Sequence, residues 1–176
     1  MGVFTLSKGG HYARPFATWP WLGEQSMTRA VTFSPESEYD SAAYNSEDVN
    51  KLFGLSFGFG GIHKDSARDG WRWSKGDQCQ ELLAYCYTNG QRNWDSQLRF
   101  PVIAQVDKGQ LVVSHIGYDK LGYYVFDVVD ANNRQVGRSV SVVAPRGLPS
   151  YGLTHGLYFG GELVTPHDMT VRLDRV

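Results

Sequence analysis

The sequence has only two cysteines among 176 residues, seven prolines, and nowhere a long apolar run. Cys79 and Cys86 are seven positions apart without CxxC spacing, and on one extended strand they would face opposite sides at about 23 Å separation. Both are expected as free thiols, which excludes a disulfide-stapled scaffold and fits a reducing compartment. No stretch approaches ~18 consecutive apolar residues, so no membrane insertion is expected. The opening residues, Met1 to Lys8, lack the basic segment and apolar core of a signal peptide, and Leu6 stands where N-myristoylation wants Ser or Thr. The expected location is soluble, either cytoplasmic or virion-associated. Charge of one sign is also missing, since 17 basic and 18 acidic residues give a net charge of -1 with no long block of either. That removes nucleic acid as a first partner.

What the chain has in excess is aromatic side chains: 10 Tyr, 9 Phe and 5 Trp make 14% of it. Its length suits one core that needs no staple, so residues 1–176 are expected to form a single β-sandwich domain. No window keeps a 3.6-residue apolar period, whereas period-two alternation recurs between Gly, Asn, Asp and Pro clusters. From Lys51 to Gly58, the residues Phe53, Leu55 and Phe57, followed by Phe59, make one apolar face, and Leu52, Gly54, Ser56 and Gly58 the other. Glycines inside a strand mark places where another backbone or a ligand comes close. Gln80 to Thr88 puts Leu83, Tyr85 and Tyr87 on one side and Leu82, Ala84 and Cys86 on the other, before an Asn89-Gly90 hairpin turn returns the chain toward Trp94.

Further strands are expected at Val3 to Leu6, Met27 to Phe33, Trp71 to Trp73, Arg99 to Val106, Gln110 to Ile116, Gly122 to Val129, Arg134 to Val143, Gly156 to Phe159 and Met169 to Leu173. One short helical turn is expected within Ser46 to Leu52, with Ser46 as its cap. Eight to twelve short strands imply an all-β fold, a two-sheet antiparallel jelly-roll (concanavalin-like) sandwich.

The densest polar segment runs from His63 to Trp73, where Arg68 and His63 lie in a loop leading to Trp71, Arg72 and Trp73. Flat rings beside Arg and His suit a saccharide, because an aromatic face packs on a pyranose C–H face while guanidinium forks meet hydroxyls or carboxylates. Packing of Trp71 and Trp73 in the core is the competing reading. His63 with Asp65, and His167 with Asp168, lack zinc spacing, so neither a metal nor any other cofactor is expected. No GxSxG elbow supports a serine hydrolase, and Cys86 sits in an apolar pattern that does not suit a nucleophile. A glycosidase would need two carboxyls across a cleft, and Glu81, Glu162, Asp65 and Asp168 cannot be paired from sequence. β-Elimination on a uronate needs a cation for the carboxylate, a base for the C5 proton and an acid for the leaving oxygen.

Tyr118-Asp119-Lys120-Leu121-Gly122-Tyr123-Tyr124 resembles the Tyr-x-Lys-x-Gly-x-Tyr signature of jelly-roll alginate lyases. The resemblance covers seven residues, and the nearest equivalents of the two other lyase strands, Ser66 to Gly70 and Ser114-His115-Ile116, lack the family's glutamate and glutamine. It implies a polysaccharide lyase in which Arg68 or Arg72 neutralises the carboxylate, His115 is the base and Tyr124 the acid. A longer string is similar to small single-domain β-sandwich proteins of Bacteroidota and their phages. It includes Asn50 to Gly58, Asp65 to Arg72, Glu81 to Gly90, and Tyr158 to Gly161 through Pro166-His167-Asp168. That similarity implies the fold without an activity.

Three functions follow. The leading expectation is a non-catalytic module that binds a polysaccharide or cell-surface glycan, or attaches to a larger assembly, through His63, Arg68, Trp71, Arg72, Tyr118, Lys120 and His167. The enzymatic alternative is the uronate lyase acting through His115, Tyr124 and Arg68. The third is a virion structural or decoration protein partnered by other subunits, with a homo-oligomer left open. Among the aromatics, Phe53, Phe57, Tyr85, Tyr87 and Phe126 read as packing, and Tyr12, Trp71, Trp73, Tyr118 and Tyr124 as the portion a site would use.

Overall fold

A computed structural model describes residues 2–16, 18–23, 25–40, 49–93, 100–161 and 163–176. Alternating side chains in these segments build two antiparallel sheets packed face to face. The first contains β1 (Gly2–Leu6), β2 (Ala13–Arg14), β4 (Ser26–Phe33), β10 (Val112–Tyr118), β11 (Tyr123–Asp130), β12 (Val140–Val143) and β14 (Met169–Arg175), in the order β12-β11-β10-β4-β14-β1-β2. The second contains β3 (Pro20–Leu22), β5 (Asn50–Phe57), β6 (Ser66–Ser74), β7 (Cys79–Thr88), β8 (Gln91–Arg92), β9 (Val102–Val106) and β13 (Tyr151–His155). Its order is β3-β13-β5-β6-β7-β8, with β9 also paired to β7. One 3-10 turn, Pro35–Ser37, is the only helical element among the described residues. The architecture is the expected all-β, two-sheet jelly-roll sandwich.

The core fills the space between the sheets. Leu6, Val31, Phe33, Ile116, Phe126 and Val171 from the first sheet meet Phe53, Leu55, Phe57, Trp71 and Leu82 from the second. Removing such side chains from water is the main force holding two sheets together. A smaller cluster of Val49, Leu83, Tyr85 and Phe100 covers part of the second sheet's other face. That sheet is therefore partly covered on its outer face as well.

The local turn chemistry behaves as the sequence requires. Asn89 and Gly90 both have positive φ, 52° and 82°, and Thr88 pairs with Gln91 across the turn. Both cysteines are buried free thiols.

Several boundaries differ from expectation. The strand expected at Gly156 to Phe159 forms instead at Tyr151–His155, and Tyr158 pairs through isolated bridges to Tyr12 and Lys51. Of Arg134 to Val143 only Val140–Val143 is regular strand, because Gly137 turns at φ 74° against the Ile103 carbonyl. Arg68 lies inside β6 and not in a preceding loop. The β6 strand alternates polar and glycine positions with Ala67, Asp69, Trp71 and Trp73, and the inward Asp69 hides the apolar period. The expected helical turn is strand from Asn50 onward, and its earlier part, with Ser46, lies outside the described residues, as do Trp94 and Arg99.

Candidate functional site

The outward face of the second sheet carries a row of four residues across four adjacent strands. His155 on β13 pairs with Gly54 on β5, Gly54 with Arg68 on β6, and Arg68 with Tyr85 on β7. Cross-strand partners share a face, so these residues point the same way. The next row on that face is Leu153, Ser56, Ser66 and Tyr87.

Lys51 joins this face through an irregularity. Strict alternation would put it beside Phe53 and Leu55, pointing into the core. The register shifts between Lys51 and Phe53, so Lys51 pairs with Gly70 while Phe53 pairs with Asp69. Leu52 is the extra residue of this β-bulge and is itself buried in the core. The bulge thus turns a lysine out of the apolar side of its own strand.

Of these residues, Lys51, Arg68, Tyr85, Tyr87 and His155 line a cavity of about 590 Å³, whose walls also include Tyr12, Phe16, Tyr158, Ile62 and His63. Two cations, two imidazoles and several phenols face it, and no carboxylate lines it among the described residues. Arg68 is 5% exposed, and its guanidinium lies 4.6 Å from the Tyr85 ring centre and 5.9 Å from that of Tyr87. Its Nε and Nη2 have no hydrogen-bond partner among the described residues. Burial pulls the Arg68 pKa down, and the nearby Tyr85 and Tyr87 oppose the fall. A guanidinium stays charged even so. Lys51 Nζ donates to the Gly160 carbonyl at 3.1 Å and sits 4.8 Å from the Tyr85 ring centre, so both cations share that ring.

The remaining groups are tuned by the same burial. His63 has its pKa lowered by burial first and then by Arg68 and Lys51, and its ring meets Tyr87 edge-on at 5.0 Å. His155 is driven down to about 4 by burial and Arg68, with its Nε2 2.9 Å from Ser56 Oγ. Both imidazoles are therefore neutral near pH 7. The Tyr87 hydroxyl is pushed up to about 12 by burial and by Tyr85, so it keeps its proton.

Of the residues singled out in the sequence, His63 and Arg68 meet in this cavity, and Tyr12 stands on its wall. The others do not converge on it. Trp71 is fully buried between the sheets against Phe33, and Trp73 is buried with it. Arg72 is tied to Glu81 by an ion pair of 2.6 Å. Tyr118 donates to the Pro145 carbonyl, and Tyr124 lies in the core stacked on Phe57 and donates to the Tyr87 carbonyl. His115 faces away on the first sheet, 2.9 Å from Thr28 Oγ1. Lys120 occupies the β10–β11 turn at φ 60°, and the His167 Nε2 donates to the Glu36 carbonyl. Glu162 lies outside the described residues. Two sheets have four faces, and sequence spacing does not say which segments share one.

Sequence reading missed Lys51, Tyr85, Tyr87, His155 and Tyr158. One signal was present: the interior Gly54, whose neighbour in space is the Arg68 side chain. Among the described residues there is no group of three or more His, Cys, Asp or Glu side chains placed to hold a metal ion, and no helix is long and apolar enough to cross a membrane.

No protein-family model matches the sequence, and no curated protein matches it either. The similarity to proteins of Bacteroidota and phages thus has no counterpart among sequence matches. Solved structures do resemble the fold. A PL-14 alginate lyase from Aplysia kurodai superposes with a TM-score of 0.53 at 14% identity, covering 98% of this chain and 80% of that one. Scytalido-glutamic peptidase gives 0.47 at 9% identity, with 96% and 78% covered. An alginate lyase from Pseudomonas aeruginosa gives 0.44 at 11%, with 92% and 65% covered. At 14% identity the likeness to the Aplysia enzyme supports the sandwich fold alone and leaves the chemistry to the site.

Proposed function

We propose that the cavity binds a uronate unit of an acidic polysaccharide and cleaves the chain by β-elimination. The observation that carries this reading is the buried Arg68 guanidinium, with two unpartnered nitrogens and no described carboxylate lining its cavity. Burying a charge without a counter-charge is costly, and a cation kept that way against tyrosine rings suits an anionic ligand. Phenol and imidazole rings around it suit the C–H faces of a sugar.

The chemistry follows from the named groups. Arg68, assisted by Lys51, neutralises the uronate carboxylate and so acidifies the neighbouring C5–H. His63, neutral and beside Tyr87, takes that proton. The electron pair forms the C4–C5 double bond, the C4–O bond breaks, and the leaving oxygen takes the Tyr87 proton. No water, oxidant or reductant is consumed. His155 is held by Ser56 and contributes a fixed polar wall.

The test is incubation with alginate and glucuronan while following the ultraviolet absorbance of the unsaturated uronate. Steady product that disappears in Arg68→Gln supports the reading. Binding of the same polymers without product makes this face a non-catalytic glycan-binding module, and neither binding nor product overturns both.

A further inference from the structure

A second cavity, of about 760 Å³, opens where the two sheets part, next to the first. Pro15, Phe16, His155 and Gly156 line both, so the two spaces are separated only by a saddle made of these residues. At the far side stand Arg29 on β4 and Arg175 on β14, directly opposite each other in the strand register. Arg29 shares the inward parity of Met27, Val31 and Phe33, and Arg175 that of Val171 and Leu173. Both arginines thus occupy positions of their strands that elsewhere carry core side chains.

That placement is unfavourable by itself. Like charges directly opposite on neighbouring strands destabilise a sheet. Arg29 makes one side-chain hydrogen bond, from Nη1 to the adjacent Thr28 carbonyl at 2.6 Å, and neither arginine forms an ion pair among the described residues. Burial and the facing Arg175 both weigh against the Arg29 charge. Among the described residues no Asp or Glu side chain lines this cavity, and Val176, the last residue, lines it beside Arg175. The cavity walls include aromatic side chains, with Trp21 half-buried and Phe16 and Trp19 exposed by 63% and 61%.

We infer that Arg29 and Arg175 form a second anionic subsite, which holds a carboxylate of a polyuronate chain that crosses Phe16 and Trp19 from the central cleft. This rests on the acidic-polysaccharide reading of that cleft and adds to it: the protein grips several consecutive units and prefers long chains. The aromatic saddle packs on sugar faces between two points of positive charge. An anion on the arginine pair also relieves their mutual repulsion, which gives the pair a physical reason to persist.

The experiment is calorimetric titration with alginate oligomers of graded length, from the disaccharide to a long chain, at low and moderate salt. Wild-type affinity rises with length beyond what the central cleft alone accommodates. In Arg29→Gln/Arg175→Gln the ratio of long-chain to disaccharide affinity falls about tenfold, and the salt sensitivity of long-chain binding falls with it. The charge-preserving Arg29→Lys/Arg175→Lys keeps most of the ratio. The thermal midpoint of the ligand-free Gln variant stays level or rises, since a like-charge pair has been removed. An unchanged length ratio in a folded Gln variant overturns this subsite alone, as does a marked fall in its thermal midpoint, which would make the arginines structural. Failure of the wild type to bind any oligomer overturns the reading of the central cleft as well.

Discussion

Gly54 stands opposite Arg68 in the β5–β6 register, and the arginine's stem lies where a side chain at 54 would be. A Cβ added to Gly54 would sit 2.5 Å from Arg68 Cγ and 2.4 Å from the Ala67 carbonyl oxygen. The glycine therefore makes room for the arginine's stem, whose guanidinium lies against the Tyr85 ring. Gly54→Ala is expected to displace Arg68 and to cost about 1–3 kcal/mol of stability by overpacking. Turnover of polyuronates should fall by at least as much as in Arg68→Lys, which keeps the charge and loses the fork. Thermal melts and initial rates on the two variants check this, and full activity in Gly54→Ala would show that the arginine's position is not critical.

Two tyrosines joined by one hydrogen bond should behave in opposite ways. Tyr124 donates to the Tyr87 carbonyl from within the core, while the Tyr87 ring faces the cavity. Tyr87→Phe is expected to lower kcat by about 10²–10⁴ with little change in KM, because it removes a proton donor and leaves the ring. Tyr124→Phe should cost about 1 kcal/mol of stability and leave kcat nearly intact. Steady-state kinetics that reversed the two effects would relocate the acid.

Stability should respond to pH from both directions. Asp69, fully buried between the sheets, accepts a hydrogen bond from Ser114 Oγ, and burial raises its pKa to about 7. The unfolded value is about 3.9, so the folded state binds this proton more tightly, and the resulting stability is present below about pH 4 and lost as pH rises to about 7. His155 has the opposite sign: its folded pKa of about 4 lies below the unfolded imidazole value of about 6.5, so stability is lost as pH falls between them. Asp69→Asn should raise the thermal midpoint by a few degrees on the alkaline side and not at acid pH. His155→Gln should flatten the acid limb. Melting curves across pH that keep their slopes in both variants would remove these groups from the pH dependence.

Trp71 is expected to matter for folding and not for glycan affinity. Its ring is wholly buried, 5.2 Å from Phe33 and near Tyr39 and Phe159. Trp71→Phe should lower stability by on the order of 1–3 kcal/mol through lost packing while polyuronate affinity stays within error. A selective loss of affinity in a variant of unchanged stability would return Trp71 to the list of ligand contacts.

Part of the aromatic excess changed places between sequence and structure, while Phe53, Phe57 and Phe126 pack in the core and Tyr12 lines the cavity as read. Tyr85 and Tyr87 alternate on β7 as regularly as core residues do, yet they cover a cavity, because the inward positions of β7 belong to Leu82, Ala84 and Cys86. Trp71, Trp73 and Tyr124 stand beside polar residues in sequence and face inward, since neighbours in a strand point to opposite sides of the sheet. The histidines divide in the same way. His63 comes to Arg68 across the approach to β6, whereas His115 and His167 end on surfaces elsewhere.

By itself the sequence determined what depends on near neighbours: period-two strands, the Asn89-Gly90 turn, the absence of long helices and the two-sheet class that such strands require. Only the tertiary structure decided which strand faces line a common space. It set His155 beside Gly54, 101 positions away along the chain, and placed Arg29 against Arg175. It also turned Lys51 outward through one extra residue, Leu52. The reason is physical: alternation records that a side chain avoids water, and a core and a cleft walled by a second element remove water alike. Register and bulges are settled by pairing between distant strands, so the site came into view only when those strands were side by side.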